Sequence, residues 1–322
     1  MIHIAYTINS GYVKYCGVAM LSAARSAPGQ RFSFHVIAND LTQADREFLS
    51  KLGAKENAKV SFYAVPDELA SRYKVTWDAN RLPLLVYYRC FLASLLPKDV
   101  EKVIYMDCDT LVLHSLQELW ETPLEGKAIA ACRDEVQFKP ERAERLMYDA
   151  SYGYFNGGVL LINLKYWREH HVEEALREFY QKYPERIVYN DQDLLNAVLY
   201  DKKVMVSLRW NVQGMFYKRK LVLGKHYETE HLDAALHPYV VHYTSRHKPW
   251  HLYCVHPYKE ECREYLREVT PETIEAMRKP MARLRRYLHL LPYYLRLKPW
   301  KYMSKEEMME LSRQKRFRLL QD

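Results

Sequence analysis

Two carboxylates separated by one residue follow an apolar run in the first half of the chain. They belong to Asp107-Cys108-Asp109, which comes directly after residues 103–106. In an extended segment, residues i and i+2 project to the same side, so both carboxylates can contact one cation. Two hard oxygen ligands at a strand end suit Mg²⁺ or Mn²⁺ bound together with a diphosphate. A solvated acidic pair is the alternative, and the same spacing recurs at Asp191-Gln192-Asp193.

A second motif places an amide and two glycines before an apolar run. Residues 155–164 read Phe-Asn-Gly-Gly-Val-Leu-Leu-Ile-Asn-Leu. Adjacent glycines allow a ligand to approach the backbone closely. A hairpin turn before a strand would explain Gly157 and Gly158, but it would leave Asn156 without a role. We therefore regard this segment as a candidate binding site.

Two further polar motifs lie in the second half of the chain. Residues 189–193 precede the apolar run 194–199, where they could bind sugar hydroxyls or, in the case of Asp191, cap a helix. The run 240–243 predicts a strand that carries His242, followed six residues later by Lys248. A neutral imidazole is a good Mn²⁺ ligand, and a lysine can neutralise a phosphate, although a histidine at a strand end is often structural.

The elements that must position these motifs alternate between strand and helix patterns. We predict strands at 2–7, 32–37, 60–65, 103–106, 128–132 and 159–162, with a helix after the first strand and another near 43–52. This alternation predicts an α/β fold with a largely parallel sheet and a site built from strand ends. No two glycines are spaced G-x-G, which excludes the common glycine-loop phosphate cradles.

Composition separates a neutral body from a basic tail. The 322 residues are 48% hydrophobic and 27% charged, which is a globular balance, and the formal net charge is +8. Residues 278–322 hold 13 Lys or Arg against 4 Asp or Glu, so the excess charge belongs to this tail. No uncharged run in the sequence is long enough to span a bilayer. The residues that follow Met1 do not have the pattern of a signal peptide. The six cysteines form no C-x-x-C pair, and four of them lie in apolar surroundings, which predicts buried thiols in the reducing cytosol, with no disulfide framework and no zinc finger.

The four motifs together, in this order, resemble glycosyltransferase family 8. These are retaining, metal-dependent enzymes that use UDP-sugars and include bacterial lipopolysaccharide galactosyl- and glucosyltransferases, and the similarity is greatest to the lipooligosaccharide α-galactosyltransferase type. The resemblance runs from residue 2 to about residue 262. It implies the A-type glycosyltransferase fold, a Rossmann-like, mostly parallel sheet flanked by helices. We expect a nucleotide-sugar-binding catalytic domain at 1–270 and a helical, basic and aromatic segment at 271–322.

The resemblance also implies roles for individual residues. The implied metal ligands are Asp107, Asp109 and His242. The implied nucleotide contacts are Thr7, Asn9, Tyr12, Arg89, Asp107, Cys108 and Lys248. The implied donor-sugar contacts are Arg89, Asn156, Gly157, Asp191 and Gln192, and Asp134 and Tyr189 would lie on the acceptor side. Asn9 departs from the aspartate of many members, and Ser245 replaces a glycine.

The implied catalytic residues are Gln192, Asp191 and Lys248. A divalent metal (Mn²⁺, with Mg²⁺ as the alternative) and Lys248 would stabilise negative charge on the departing UDP. Gln192 is expected near the anomeric carbon on the face opposite UDP. Because a carboxamide is a poor nucleophile, attack by the acceptor on the same face as the leaving group fits retention better than a covalent intermediate.

The expected partners are UDP-galactose or UDP-glucose and a saccharide acceptor, lipid-linked, such as lipopolysaccharide core. The basic and aromatic tail predicts peripheral attachment to the anionic inner face of the membrane, in the cytoplasm, without specific nucleic-acid binding. Two alternatives stay open. One is a glycogenin-like enzyme that glucosylates itself, given 27 tyrosines. The other is a non-catalytic, basic-tailed binding protein.

Overall fold

The computed structural model describes residues 1–74, 84–134 and 139–319, with side chains up to residue 314. In this part of the chain the strands are β1 Ile2–Thr7, β2 Phe32–Ile37, β3 Lys59–Tyr63, β4 Lys102–Met106, β5 Thr110–Val112, β6 Ile129–Arg133, β7 Phe155–Asn163, β8 Lys203–Met205, β9 Val212–Gln213 and β10 Val240–His242.

The α-helices of the described residues are α1 Val13–Arg25, α2 Gln43–Lys55, α3 Asp67–Ala70, α4 Leu92–Leu95, α5 Gln117–Trp120, α6 Pro140–Arg145, α7 Leu164–Glu169, α8 Val172–Lys182, α9 Asn190–Leu199, α10 Arg219–Val222, α11 Thr229–Leu236, α12 Lys259–Val269, α13 Pro271–Arg278, α14 Pro280–Tyr294 and α15 Lys305–Leu319. Short 3₁₀ helices span Ser10–Tyr12, Leu84–Phe91, Ala150–Tyr152, Pro184–Arg186, Leu208–Asn211 and Gly214–Tyr217.

The main sheet has seven strands in the order β3-β2-β1-β4-β7-β6-β8. Every neighbouring pair is parallel except the two that involve β7, which runs antiparallel to β4 and β6. The predicted α/β fold with a mostly parallel sheet is therefore confirmed. The run 159–162 is only the second half of β7, because Asn156, Gly157 and Gly158 already belong to this strand. The two glycines thus lie within a strand, and the hairpin-turn interpretation is wrong.

Both faces of the main sheet are covered, which explains why its strands are apolar without alternation. In β4, Val103 and Tyr105 pack in the core shared with α7, α8 and α9. The intervening Ile104 and Met106 pack in a second core with α1 and α2. The central strands are thereby buried on both sides, and their carboxyl ends are held in place by two separate cores.

A smaller sheet of three strands, β5-β10-β9, lies at the carboxyl end of β4. The Asp107-Cys108-Asp109 segment is the turn that joins the two sheets. The Asp107 N–H donates to the carbonyl of Gly158 (2.8 Å), and the Tyr243 N–H donates to the carbonyl of Asp109 (2.9 Å). The two aspartates therefore lie in a turn anchored at both ends, rather than in the extended segment that the sequence predicted.

The C-terminal region is helical, as predicted, and its end returns to the body of the protein. Tyr302, Met303 and Met308 are buried in the same core as α12. An antiparallel bridge joins Tyr302 to Lys218. Residues 320–322 of the predicted tail lie outside the described residues. Among the described helices, none is both long enough and apolar enough to cross a bilayer.

Candidate active site

Asp107, Asp109 and His242 form a compact cluster at the junction of the two sheets. His242 Nε2 lies 3.5 Å from Asp107 Oδ2 and 3.2 Å from Asp109 Oδ1. One ligand atom from each of the three residues lies within 4.8 Å of the others. Two carboxylates and one imidazole form a ligand set that suits Mn²⁺. The three residues that the sequence assigned to a metal are thus adjacent in space.

Two neighbours position His242 in this cluster. Asn211, which is fully buried, places its Oδ1 3.0 Å from His242 Nδ1. A proton donated from Nδ1 to Asn211 leaves the lone pair of Nε2 directed at the carboxylates, as a metal ligand requires. Gly158 provides the space, because a Cβ atom there would lie 2.1 Å from His242 Cε1 and 2.8 Å from Asp107 Oδ2. The side chains of His242 and Asp107 are thus the groups that approach the backbone at this glycine.

Lys248 lies directly beside the cluster. Its Nζ is 2.5 Å from Asp109 Oδ2 and 2.5 Å from the carbonyl oxygen of Tyr243. Burial alone would raise the pKa of Asp109, but Lys248 and His242 outweigh burial and hold the pKa well below its usual range. Asp109 is therefore ionised at neutral pH, which is the state that a metal ligand needs.

Arg89 connects the metal cluster to the rest of the cleft. Its guanidinium donates to Asp107 Oδ1 (2.9 Å) and to the Gly157 carbonyl (2.6 Å), and its Nε lies 2.8 Å from Asp191 Oδ2. Burial and the nearby charge of Asp107 raise the pKa of Asp191 to about 6, although Arg89 opposes this shift. Arg89 thus bridges Asp107, which was expected to contact the nucleotide, and Asp191, which was expected to contact the donor sugar.

A network of side-chain amides lies on the other side of Arg89. Asn156 Nδ2 donates to Asp134 Oδ1 (2.7 Å) and to Gln192 Oε1 (3.1 Å). Gln192 Oε1 also accepts the Gly157 N–H (3.0 Å), and its Nε2 donates to the hydroxyl of Tyr154 (3.2 Å). These groups present both donors and acceptors, which suits the hydroxyls of a sugar.

The start of α9 separates the roles of the residues in the Asp191-Gln192-Asp193 motif. Asp193 is fully buried and accepts the backbone N–H groups of Val188 (2.8 Å) and Tyr189 (2.7 Å). Asp191 is the second residue of the helix, and its carboxylate contacts Arg89 instead. The alternative in which Asp191 caps the helix is therefore wrong, and Asp193 is the residue that holds the helix start.

The predicted acceptor-side residues lie at the far end of the amide network. Asp134 forms an ion pair with Arg142 (3.1 Å), and the Arg142 guanidinium stacks over the ring of Tyr189 at 4.7 Å. Both Asp134 and Tyr189 line the same cavity as the metal cluster. This cavity has a volume of about 430 Å³.

A second cavity, of about 210 Å³, adjoins the first and shares Arg89, Asp107 and Asp109 with it. Its other walls include the predicted nucleotide contacts Thr7, Asn9, Tyr12 and Cys108. The Oδ1 atom of Asn9 is buried and has no hydrogen-bond partner among the described residues. The N–H of a nucleotide base could donate to this unpaired oxygen. Asn9 therefore still offers an acceptor, although many family members have an aspartate at this position.

Sequence reasoning missed several residues of the site, and three of them have polar groups that bear on its chemistry. Asn211 supports His242 and donates to Asn156 Oδ1 (2.9 Å), and the Tyr105 hydroxyl donates to Asp107 Oδ1 (2.8 Å). Lys218 contributes a cation to the wall of the larger cavity. Asn211 and Lys218 follow no motif in the sequence, and Tyr105 reads as one apolar residue of a buried strand. Only their spatial neighbours assign them to the site.

Comparison with known proteins gives concordant matches. A family model described as glycosyl transferase family 8 matches residues 3–254. General stress protein A of Bacillus subtilis is 26% identical over 274 residues, which are 83% of this chain and 93% of that protein. The lipopolysaccharide 1,3-galactosyltransferase of Salmonella typhimurium is 27% identical over 266 residues, with 79% of this chain and 74% of that protein covered.

Among solved structures, a galactosyltransferase named LgtC, in complex with donor and acceptor sugar analogs, superposes with a TM-score of 0.74. It is 26% identical in sequence, and the match covers 84% of this chain and 96% of that one. The matched family region ends at residue 254, so the C-terminal helices α12 to α15 lie beyond it.

Proposed function

Because the chain belongs to glycosyl transferase family 8 and is a glycosyltransferase of the A-type fold, we propose that it is a retaining, Mn²⁺-dependent hexosyltransferase. It moves galactose or glucose from a UDP-sugar to a saccharide acceptor of a cell-surface glycan such as lipopolysaccharide core. The observation that carries this proposal is the convergence of Asp107, Asp109 and His242 beside Lys248, at the point where the two cavities meet.

The arrangement of the three side chains suits a divalent cation. Two carboxylates and an imidazole converge around one point, and Gly158 leaves the space that their side chains need. A divalent cation bound by Asp107, Asp109 and His242 would act as a Lewis acid for the diphosphate. Lys248 holds a fixed positive charge at the same place, so it stabilises the negative charge that develops on departing UDP.

The nucleoside fits the smaller cavity. Asn9 Oδ1 offers an unsatisfied acceptor for a base N–H. Tyr12 is 38% exposed at the edge of this cavity and packs edge-on against Tyr15 and Trp250, so the cluster can support a stacked base. The sugar would then project past Arg89 into the larger cavity, toward Asn156 and Gln192.

Retention is best explained by attack of the acceptor on the face that UDP leaves. The Gln192 amide is neutral and already accepts two hydrogen bonds through its oxygen, so it is a poor nucleophile. Asp191 is held by Arg89, and its raised pKa makes it partly protonated near pH 6. Neither group is prepared for covalent attack on the anomeric carbon. A glycosyl adduct on Asp191 or Gln192, detected by mass spectrometry, would contradict this mechanism.

The direct test is UDP release from a panel of UDP-sugars, measured with and without Mn²⁺ and in the absence of acceptor. We expect slow hydrolysis of UDP-galactose or UDP-glucose that depends on the metal and stops in EDTA. Intact mass after the same incubation controls for self-glucosylation, which would add hexose units to the chain. No Mn²⁺-dependent binding of UDP would contradict the proposed function.

We also propose that α14 attaches the protein to an anionic membrane surface. Among its apolar residues, Met281, Leu284, Tyr287 and Leu288 are 49% to 62% exposed. Leu295 and Leu297, just beyond the helix, are 59% and 75% exposed. Basic residues 283, 285 and 286 alternate with them, and leucine and tyrosine beside Lys or Arg suit the headgroup region of a bilayer.

Co-sedimentation with liposomes tests this attachment. The full chain should bind vesicles that contain phosphatidylglycerol at low salt, and the double variant Leu284→Glu/Leu288→Glu should lose this binding. UDP-sugar hydrolysis by the double variant should stay normal, because α14 contributes no side chain to either cavity of the site. Equal binding of the double variant, or no binding by the natural chain, would exclude α14 as the membrane contact.

A further inference from the structure

Among the residues that the structure describes, three Lys or Arg side chains line the larger cavity: Arg89, Lys218 and Lys248. Arg89 and Lys248 each form ion pairs with carboxylates of the site. Among the described residues, Lys218 has no ion-pair partner, and the charge that acts on it is that of another lysine, Lys301, which lowers its pKa. The cavity therefore contains one cation whose charge the described residues do not balance.

This cation is also partly removed from water. Lys218 is half-buried, and burial together with the nearby charge of Lys301 lowers the pKa of its ammonium group. Burying a charge without a partner is unfavourable, and an anion bound at this place would relieve both effects. A freely solvated lysine on an open surface would show neither of them.

The C-terminal segment holds Lys218 in the cavity wall. The Met303 N–H donates to the Tyr217 carbonyl (2.9 Å), and the Arg219 N–H donates to the Lys301 carbonyl (3.0 Å). These hydrogen bonds lie on either side of the bridge between Lys218 and Tyr302, whose ring is buried. The same pairing fixes the Lys218 backbone and brings Lys301 next to it. The pairing thus holds Lys301 close enough for its charge to act on Lys218.

The position of Lys218 indicates which part of the reactants carries the anion. Lys218 lines the larger cavity and does not line the nucleoside cavity. The part of the larger cavity that we assign to the donor sugar, the sugar corner, contains Asp191 with the amides of Asn156 and Gln192. A carboxylate there disfavours an acidic donor sugar, and the amides suit neutral hydroxyls. The remaining reactant is the acceptor.

We infer that Lys218, with Lys301 beside it, binds an acidic group of the saccharide acceptor, either a phosphate or a carboxylate. The inference rests on the proposed function, since it assigns the acceptor of that reaction to acidic saccharides. It makes Lys218 a residue that determines acceptor specificity.

Calorimetric titration of the full chain tests the inference with glucose 6-phosphate and glucose as probes. The protein is first saturated with UDP and Mn²⁺, so that the phosphate probe cannot occupy the diphosphate position. We expect glucose 6-phosphate to bind at least about tenfold more tightly than glucose, because a charge-assisted contact is added. The preference should disappear in Lys218→Met, persist in Lys218→Arg and weaken as NaCl is increased.

Lys220→Met is the matched control, because Lys220 is exposed on α10 two residues away and lines neither cavity. It should keep the preference for glucose 6-phosphate, and an equal loss in this variant would overturn the inference in favour of a general surface charge. Melting temperatures of all variants show whether Lys218→Met has simply unfolded.

The outcomes separate this inference from the proposed function. If UDP binds with Mn²⁺ while glucose 6-phosphate and glucose bind equally, the inference is overturned and the function stands. If UDP does not bind, both are overturned. If UDP-glucuronic acid is hydrolysed faster than UDP-glucose and this difference depends on Lys218, the acidic group belongs to the donor, which also overturns the assignment to the acceptor.

Discussion

Asp109 contacts both His242 and Lys248, so a substitution there tests the metal site directly. Asp109→Asn should reduce UDP-sugar turnover about a thousandfold, because a metal ligand and its negative charge are lost together. Turnover and Mn²⁺-dependent UDP binding are the measurements. Asp99→Asn, on an exposed aspartate, should retain both. Normal turnover in EDTA would contradict the metal assignment.

The asparagine variant is preferable to alanine at this position. Asp109→Ala would leave the mostly buried Lys248 without any acceptor from residue 109, whereas the amide oxygen of an asparagine can still accept its hydrogen bond. A buried charge that has lost its partner can destabilise a protein by about 3 kcal/mol. Loss of activity in the alanine variant would then mix a catalytic effect with a folding effect. Melting curves of both variants separate the two.

Gln192 and Asp193 are neighbours with opposite expected effects. Gln192→Ala should lower kcat about a hundredfold with little change in UDP affinity or melting temperature, since the amide faces the sugar corner of the cavity. Asp193→Asn should instead lower stability by about 3 kcal/mol, because Arg145 loses its ion pair with a fully buried carboxylate. Steady-state kinetics and thermal unfolding of both variants decide. Equal stability losses would indicate that Gln192 is only structural.

Asp191 provides a pH-dependent test. Its pKa is raised from 3.8 to about 6, so the folded protein binds this proton more tightly than the unfolded chain does. The protonated form therefore favours folding below about pH 4, and this contribution is lost as the pH rises to about 6. In Asp191→Asn the loss is absent, so the stability of the variant relative to the natural protein should improve by about 2 kcal/mol between pH 4 and pH 6.

Unfolding in urea at several pH values measures this difference. The slopes of the unfolding free energy against pH are compared, rather than its absolute values. The variant also changes the surroundings of Arg89, and this change shifts the free energy by a constant at all pH values. A difference that stays constant across this range would show that Asp191 has an ordinary pKa in the folded state.

At the scale of elements, β7 carries the closest contact between backbone and site. Gly158→Ala would place a Cβ atom 2.1 Å from His242 Cε1, so the imidazole or the strand must move. We expect loss of Mn²⁺-dependent UDP binding, measured by calorimetry. Gly157→Ala is the neighbouring comparison, since the nearest atom to its Cβ would be Arg89 Nη1, at 3.4 Å. Its effect on Mn²⁺ affinity should be much smaller. Similar effects at both positions would indicate a general disturbance of β7.

The junction of the two sheets explains why a turn, rather than a strand, can hold both carboxylates of the cluster with His242. Asp107 continues the pairing of β4 with β7, and Asp109 begins the small sheet by accepting from Tyr243. Each end of the turn is therefore fixed by a different sheet, and His242 enters from β10, the strand that pairs with β5. The geometry of the cluster depends on how the two sheets join, which no single strand determines.

At the scale of the whole molecule, the C-terminal segment belongs partly to the body. A chain that ends at residue 298 lacks the buried Tyr302, Met303 and Met308, and we expect it to be less stable by roughly 5 kcal/mol. A chain that ends at residue 314 keeps all three and should melt within about 2 °C of the full chain. Differential scanning calorimetry of the two truncations measures this. Equal melting temperatures would mean that the segment only rests on the surface.

This placement refines the expectation of a separate membrane-association segment at 271–322. Removing everything from residue 278 onward would also remove four of the described buried side chains, including Leu290, so lost membrane binding could not be distinguished from a weakened catalytic body. The exposed surface of α14 is the part that substitutions can test without this ambiguity.

Much of the site was readable from the sequence because its residues lie in short motifs next to apolar strands and helices. Asp107, Asp109, Asn156, Gln192 and His242 all stand beside such runs, and the periodic burial of the runs predicts where each strand ends. The mostly parallel sheet follows from this pattern, whereas the family was recognised from the resemblance of the four motifs. The six cysteines, predicted as thiols, are all unpaired.

Only the tertiary structure decided which polar residues face one another. The sequence left Asp191 open between a sugar contact and a helix cap, and the structure excludes the cap, because the Asp191 carboxylate pairs with Arg89 instead. Asn211 and Lys218 have no local signal, since their roles come from neighbours about 30 and 80 residues away along the chain. Local spacing determines periodic burial, whereas contacts between distant segments depend on how the two sheets and the C-terminal segment pack.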